Sequence, residues 1–291
     1  MCIRDSMQGH WLPGAVASSD LSVCGPLARS AEDLQLALGI MSGPQPLDEP
    51  GWQLNLPKSR RNSISEYRVA IWPTDDLCPV DSEVAGRVSE IGETLRKLGA
   101  TVSETARPQI DFAREHETYL QLLMGVIGAS FPSEQWHAIK AGVDASDPTD
   151  RSNAATSARG AVASHRQWLS QNNQREHLRY AWRDFFTDWD ILICPQTSTP
   201  AFPHDHKPFP ERTLNVNGVD QDYLDQLFWA GVVTATFLSS TVFPTGPSSE
   251  GLPIGLQAVG GEYQDYTTIE FAKLMANEIG GFRAPETYPD V

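Results

Sequence analysis

The stretch PTGPSSEGLPIGLQAVG, residues 244–260, follows directly on the apolar run STVF, and Glu250 is the only charge in it. Two apolar runs flank a loop of Pro, Gly and Ser, which reads as strand, loop, strand. TFLSSTVF (236–243) supplies the first strand and GLPIGLQAVG (251–260) the second. YQDYTTIEFAKLMANEIGG (263–281) then reads as a closing helix. Its Ile269, Ala272, Leu274, Met275 and Ile279 are expected to face inward.

Further strands lie upstream. WDILICP (189–195) is a buried strand that stops at Pro195, and YRVAIWP (67–73) is a short strand that stops at Pro73. Between YRVAIWP and ATVSET (100–105) lies VDSEVAGRVSEIGETLRKLGA (80–100). Its Val84, Val88, Ile91, Leu95 and Leu98 share one helix face, and Gly99 ends the helix. Strand, helix, strand with tight joins makes a βαβ unit and a parallel pair. SAEDLQLALGIMSGP (30–44) is a helix with Ser30 at its N-cap and Glu32 and Asp33 in its first turn. Residues 109–142 read as helix in two or three pieces, 144–153 as a loop and 154–188 as a long amphipathic helical stretch. Residues 195–220 read as irregular and 221–231 as a helix. The fold class is α/β.

Composition narrows the function. The 291 residues are 40% hydrophobic and 20% charged, the balance of a globular chain. The formal net charge of −15 disfavours nucleic acid and anionic membrane surfaces as partners. The longest apolar run, YLQLLMGVIGASF (119–131), is too short to span a bilayer and carries Gln121. Cys2, Cys24, Cys78 and Cys194 form no CxxC pair, which points to a reducing cytoplasm rather than a disulfide framework. The opening MCIRDS (1–6) has no apolar core behind its charge and reads as translated adapter sequence. The native chain is then expected to extend upstream of it.

GPLARSAEDLQLAL (25–38), DILICPQTSTPAF (190–202) and GLPIGLQAVGGEYQD (251–265), followed by a terminal helix, stand in this order. That order resembles the amidase signature enzymes, and the resemblance runs from about Gly9 to Phe282. It implies a mixed sheet wrapped by helices and hydrolysis of a carboxamide C–N bond. It also implies a triad of a nucleophilic Ser, a bridging Ser with a cis peptide bond, and a Lys. The chemistry behind such a triad is general. Serine is a weak nucleophile and needs a base, and lysine serves as one only when burial keeps it neutral. Backbone N–H groups of a glycine-rich turn stabilise the oxyanion.

This chain departs from that pattern. In the family the triad comes from a Gly/Ser-rich region that precedes GPLARS, and this chain starts just before that motif. Its serine pairs are Ser18-Ser19, Ser239-Ser240 and Ser248-Ser249, and none has glycine flanks. Its lysines, Lys58, Lys97, Lys140, Lys207 and Lys273, all sit in polar or helix-surface contexts. No catalytic residue is assigned. Residues 7–291 read as the C-terminal part of a single amidase domain, inactive by itself. Removing half of one sheet is expected to leave apolar faces open and to favour self-association, for instance as a homodimer.

The resemblance implies a small-molecule amide substrate and no cofactor. It places the pocket wall at Pro195, Gln196 and Thr197, after DILIC, and at Trp229. Two alternatives are a non-catalytic scaffold or binding member, and a component of an amidotransferase complex that works with a partner. Other constellations carry less. His204-Asp205-His206 has no third and fourth ligands at metal spacing. Glu115-His116-Glu117 reads as an exposed helix face. Trp136, Trp168, Trp182, Trp189 and Trp229 read mostly as core. Arg29 reads as a pairing residue near the sheet and Asp33 as a first-turn helix carboxylate. GxSxG, GxGxxG and GxxxxGK[ST] are absent.

Overall fold

The computed structural model describes residues 19–285, so the adapter reading of 1–6 and the residue Ser18 lie outside it. Five strands form one mixed sheet: β1 (Arg68–Ile71), β2 (Thr101–Ser103), β3 (Ile191–Pro195), β6 (Ser239–Pro247) and β7 (Pro253–Gly260). Their spatial order is β2-β1-β3-β7-β6. β1 runs parallel to β2 and to β3, whereas β7 is antiparallel to both β3 and β6. The quoted stretch is therefore a hairpin, with a register shift between Pro244 and Pro247 where the strand irregularity begins.

The βαβ unit is present as read. Helix α2 (Ser82–Lys97) starts at Asp81, whose side chain accepts from the Glu83 amide. Arg96 and Lys97 fill its last turn, where they complement the helix dipole. Gly99 follows with φ +89°, a backbone that only glycine adopts freely. Val84, Val88, Ile91 and Leu95 are buried against the sheet, and Leu98 is partly buried there. Every residue of β3 is buried, so both faces of the sheet are covered at its centre. Helix α8 (Asp265–Ile279) packs on β6 and β7. It buries Ile269, Phe271, Ala272 and Met275, with Leu274 and Ile279 partly buried.

Helix α1 (Ala31–Met41) has the expected cap, Ser30 accepting from the Asp33 amide. It buries Leu38 against Ile269 of α8 and leaves Leu36 and Ile40 exposed on its other side. Arg29 makes no ion pair among the described residues. It is exposed and lies over the Phe282 ring, 5.3 Å from the centroid, which corrects the pairing role read from sequence.

Three readings change in the remaining segments. The region 109–145 holds α3 (Phe112–Gly128) and α4 (Ser133–Ala145), as expected. The long helical stretch after it is broken into α5 (Asn153–Ala161) and α6 (His165–Asp188). The break is a new start at Ser164, which forms a capping box with Gln167. Residues 195–220 are not wholly irregular, since β4 (Thr213–Val216) and β5 (Val219–Asp222) pair as a hairpin. Its turn is Asn217-Gly218, with φ +54° and +84°, the two left-handed positions of a tight hairpin turn. That hairpin pushes the following helix, α7 (Leu227–Thr234), later than the 221–231 read from sequence. Among the described residues no helix is long and apolar enough to cross a membrane.

Candidate functional site

The parallel strands β1 and β3 end side by side, and their C-terminal ends carry the residues of the sequence-derived pocket wall. β3 ends at Pro195, and Gln196 and Thr197 continue from it. The structure links Pro195 to Trp229 through one side chain. Gln257 Nε2 donates to the Pro195 carbonyl at 2.8 Å and to the Trp229 carbonyl at 3.1 Å. Its Oε1 accepts from Ser240 Oγ at 3.1 Å. Thr197 Oγ1 donates to Gln226 Oε1 at 3.3 Å, which ties the same loop to the start of α7.

Exposure separates the four wall residues. Trp229 is 0% exposed, with its ring centroid 5.2 Å from that of Trp72 and 5.1 Å from that of Phe228. Pro195 is buried, Thr197 half-buried and Gln196 exposed. Of the four residues read from sequence as a wall, Trp229 and Pro195 are therefore inside the core, and Gln196 and Thr197 are accessible. The other tryptophans divide similarly. Trp182 is fully buried, Trp189 packs against the core, and Trp136 and Trp168 are only half-buried.

A second polar group lines the inner side of α3. Glu115 is 2% exposed and accepts from Trp182 Nε1 at 2.8 Å. Burial pushes its carboxyl up to about 8, partly offset by that hydrogen bond. The exposed-face reading of Glu115-His116-Glu117 is therefore corrected. Phe112, Glu115, Tyr119 and Leu122 recur at helical spacing, so Glu115 falls on the packed face. His116 Nε2–H donates to Asn153 Oδ1 at 3.2 Å, and Asn153 Nδ2 donates to Asp225 Oδ1 at 2.8 Å. Burial lowers the affinity of His116 for a proton and raises that of Asp225. In this tautomer His116 Nδ1 is a buried acceptor without a donor.

Nucleophile candidates can be weighed against this geometry. Cys78 shares a 3.2 Å hydrogen bond with Ser198, and burial pushes its thiol up to about 11. Burial pushes Cys194 up to about 12. Both thiols stay protonated near neutral pH and are inert. Ser239 Oγ donates to Asp265 Oδ2 at 3.0 Å, and Ser240 Oγ is engaged with Gln257. Ser249 bonds Glu83 at the loop surface. Lys140 pairs with Asp144, Lys207 with Asp205 and Lys273 with Glu32, while Lys58 and Lys97 are exposed. Among the described residues no lysine contacts a serine pair, and no peptide bond is cis. No group of three or more His, Cys, Asp or Glu side chains is placed to hold a metal ion among them.

Outside this wall, the loop after β3, the β4–β5 hairpin and the β6–β7 turn enclose an open cleft of about 780 Å³. It is acidic: Asp81, Glu83, Asp205, Asp220 and Glu250 line it against one lysine, Lys207. His204 lines it too, 6.1 Å from His206 between ring centroids. None of the four wall residues lines this cleft, although Thr199 and Pro200 carry the same loop into it.

Comparison with known proteins agrees with this architecture. The family model described as Amidase matches residues 6–269. An indoleacetamide hydrolase of Bradyrhizobium diazoefficiens is 26% identical over 273 residues, which are 89% of this chain and 47% of that protein. A glutamyl-tRNA(Gln) amidotransferase component of Gloeobacter violaceus is 27% identical over 270 residues, 85% of this chain and 53% of that protein. The solved structure of a bacterial aryl acylamidase superposes with a TM-score of 0.63 at 16% identity, covering 88% of this chain and 53% of the other. The chain spans about half the length of the curated relatives it matches. Sheet order, motif order and the extent of the family match lead to one conclusion: this chain belongs to the amidase family, the amidase signature enzymes.

Proposed function

We propose that this chain supplies framework and pocket wall for hydrolysis of a carboxamide C–N bond, and that nucleophile and base come from outside residues 19–285. Residues 7–291 are then one part of a single amidase domain, and the substrate is a small-molecule amide. The observation that carries this reading is the engagement of every described serine pair with partners other than an amine. Ser239 is held by the Asp265 carboxylate and Ser240 by the Gln257 amide, so neither hydroxyl meets the neutral amine that a Ser-Ser-Lys relay requires. The Gln257 bridge gives the wall its rigidity, because two hydrogen bonds from its amide fix the Pro195 loop to α7 and a third, from Ser240, holds the amide in place. Gln196 and Thr197 then face the substrate's acyl group.

A second reading, a component that works with a partner in an amidotransferase complex, draws on the likeness to the Gloeobacter violaceus amidotransferase chain. The acidic cleft beside the wall repels a nucleic-acid backbone, so the first reading is preferred.

The test is ammonia release by the 291-residue chain from a panel of aliphatic and aryl amides. The expected rate equals that of a protein-free blank. Turnover that disappears in Ser239→Ala or Ser240→Ala would place the nucleophile in this chain and overturn the proposal.

A further inference from the structure

A second cavity opens at the opposite end of the same strands, and its charge is inverted. It occupies about 740 Å³ beside Arg68, the first residue of β1, and Asp190, which precedes β3. Five arginines, residues 60, 61, 68, 179 and 183, line it against the three carboxylates Glu176, Asp190 and Glu262. The chain as a whole carries −15, so this clustering runs against its composition.

The charges are not spread evenly. Glu176 and Glu262 both bind Arg179, with N···O distances of 2.7 Å. That leaves Asp190 as the lining carboxylate of the other corner. Asp190 accepts from Arg68 Nε and Nη2, both at 3.1 Å, and from Arg61 Nη2 at 3.2 Å. Burial alone would push its carboxyl up, but the bonds from Arg68 and Arg61 outweigh it and hold the group below its ordinary value. One carboxylate shared by two guanidinium groups leaves one positive charge over. Arg60 adds another, because it lines the cavity and makes no hydrogen bond or ion pair among the described residues. The wall beside this corner is aromatic, with Phe186 and Trp189. Both are half-buried and stacked within the α6 aromatic cluster, where Trp182 and Phe186 centroids lie 5.8 Å apart and Phe185 and Trp189 centroids 6.4 Å apart.

We propose that this cavity is a binding site for a small organic oxyanion. Its phosphate or carboxylate group sits on the Arg60–Arg61–Arg68 corner, and its apolar body lies against Phe186 and Trp189. Guanidinium groups match such oxyanions with paired, charge-assisted hydrogen bonds, and an aromatic wall adds contact without competing for the charge. The site is independent of the amide-cleavage reading, since it lies at the other end of the strands and shares no lining residue with the acidic cleft.

The experiment is calorimetric titration of the 291-residue chain at low salt with phenyl phosphate, with benzoate and with neutral benzamide. Saturable one-to-one binding of phenyl phosphate identifies phosphate as the preferred group, and binding of benzoate alone identifies carboxylate. Benzamide is expected not to bind. Arg60→Gln, which removes no internal contact, should weaken binding about tenfold, the effect of one charge-assisted hydrogen bond. Arg61→Gln should weaken it further, with its melting temperature measured alongside. No saturable binding of either anion, or full affinity in Arg60→Gln, overturns the site.

Discussion

The two ends of the β1–β3 pair are held together by different physics. At the C-terminal end Trp72, Phe228 and Trp229 pack edge to face, and Gln257 bridges two carbonyls. The interactions there are neutral and buried, apart from Arg107, whose guanidinium lies over Trp72 and donates to the Ile71 carbonyl. At the N-terminal end Arg61, Arg68 and Asp190 form a half-exposed ionic knot. Buried neutral packing is insensitive to salt and costly to interrupt, whereas exposed ion pairs are screened and individually weak. The first end therefore resists alteration of its framework, and the second can rearrange its charges around a bound ion.

The largest effect should follow from breaking the packed end. Trp229→Ala empties a fully buried site between Trp72 and Phe228, and is expected to cost about 3–5 kcal/mol in unfolding free energy, independent of salt. Urea denaturation at low and high ionic strength checks both parts. A cost below about 1 kcal/mol would mean that Trp229 is not a framework residue and would erase the contrast between the two ends.

The next effect is a pH dependence on the packed side. Glu115 has a folded value of about 8, above the 4.5 of an unperturbed glutamate. The sign follows directly: the folded chain holds this proton more tightly than the unfolded chain. Its contribution is fully present below 4.5 and is lost as pH rises through 8. Glu115→Gln cannot titrate, and its amide oxygen can still accept from Trp182 Nε1. Wild-type stability should therefore fall relative to Glu115→Gln as pH rises from about 5 to about 9. A flat difference between the two melting curves across that range would show that Glu115 ionises freely.

Glu115 also marks where the sequence stops being readable. The βαβ unit, the hairpin and the closing helix were legible because period-two and helical periodicities there coincide with burial. Val84, Val88, Ile91 and Leu95 illustrate this. Glu115 stands at a core position of its helix, yet the charge a glutamate ordinarily carries argues for the surface. Only the indole of Trp182, 67 residues away, explains its burial. The β4–β5 hairpin was missed for a different reason. Asn217-Gly218 is a strong turn signal, but the proline-rich run before it obscured the short strands. Pro195 and Trp229 were brought into one region by family resemblance. Their link through Gln257 spans β3, α7 and β7, and no local pattern encodes it. The arginine cavity was illegible altogether, because its five guanidinium groups come from segments more than 100 residues apart.

The smallest effect tests the ionic end. Asp190→Asn keeps the shape of the knot and removes its only negative charge, leaving Arg61 and Arg68 to repel each other. The side chain of Asp190 is 15% exposed and those of its partners 32% and 37%, so solvent screens much of the interaction. The expected loss of stability is about 1 kcal/mol at low salt, and it should shrink toward zero in about 1 M salt, where the screening length is roughly 3 Å. The same substitution should raise affinity for an oxyanion in the neighbouring cavity, because it frees two guanidinium groups from their internal partner. Those two changes have opposite signs and a common cause. A loss of stability that persists undiminished at high salt would show that Asp190 acts through the number of hydrogen bonds its two oxygens accept from Arg61 and Arg68 rather than through charge. The N-terminal end would then be built like the C-terminal one, on buried hydrogen bonds.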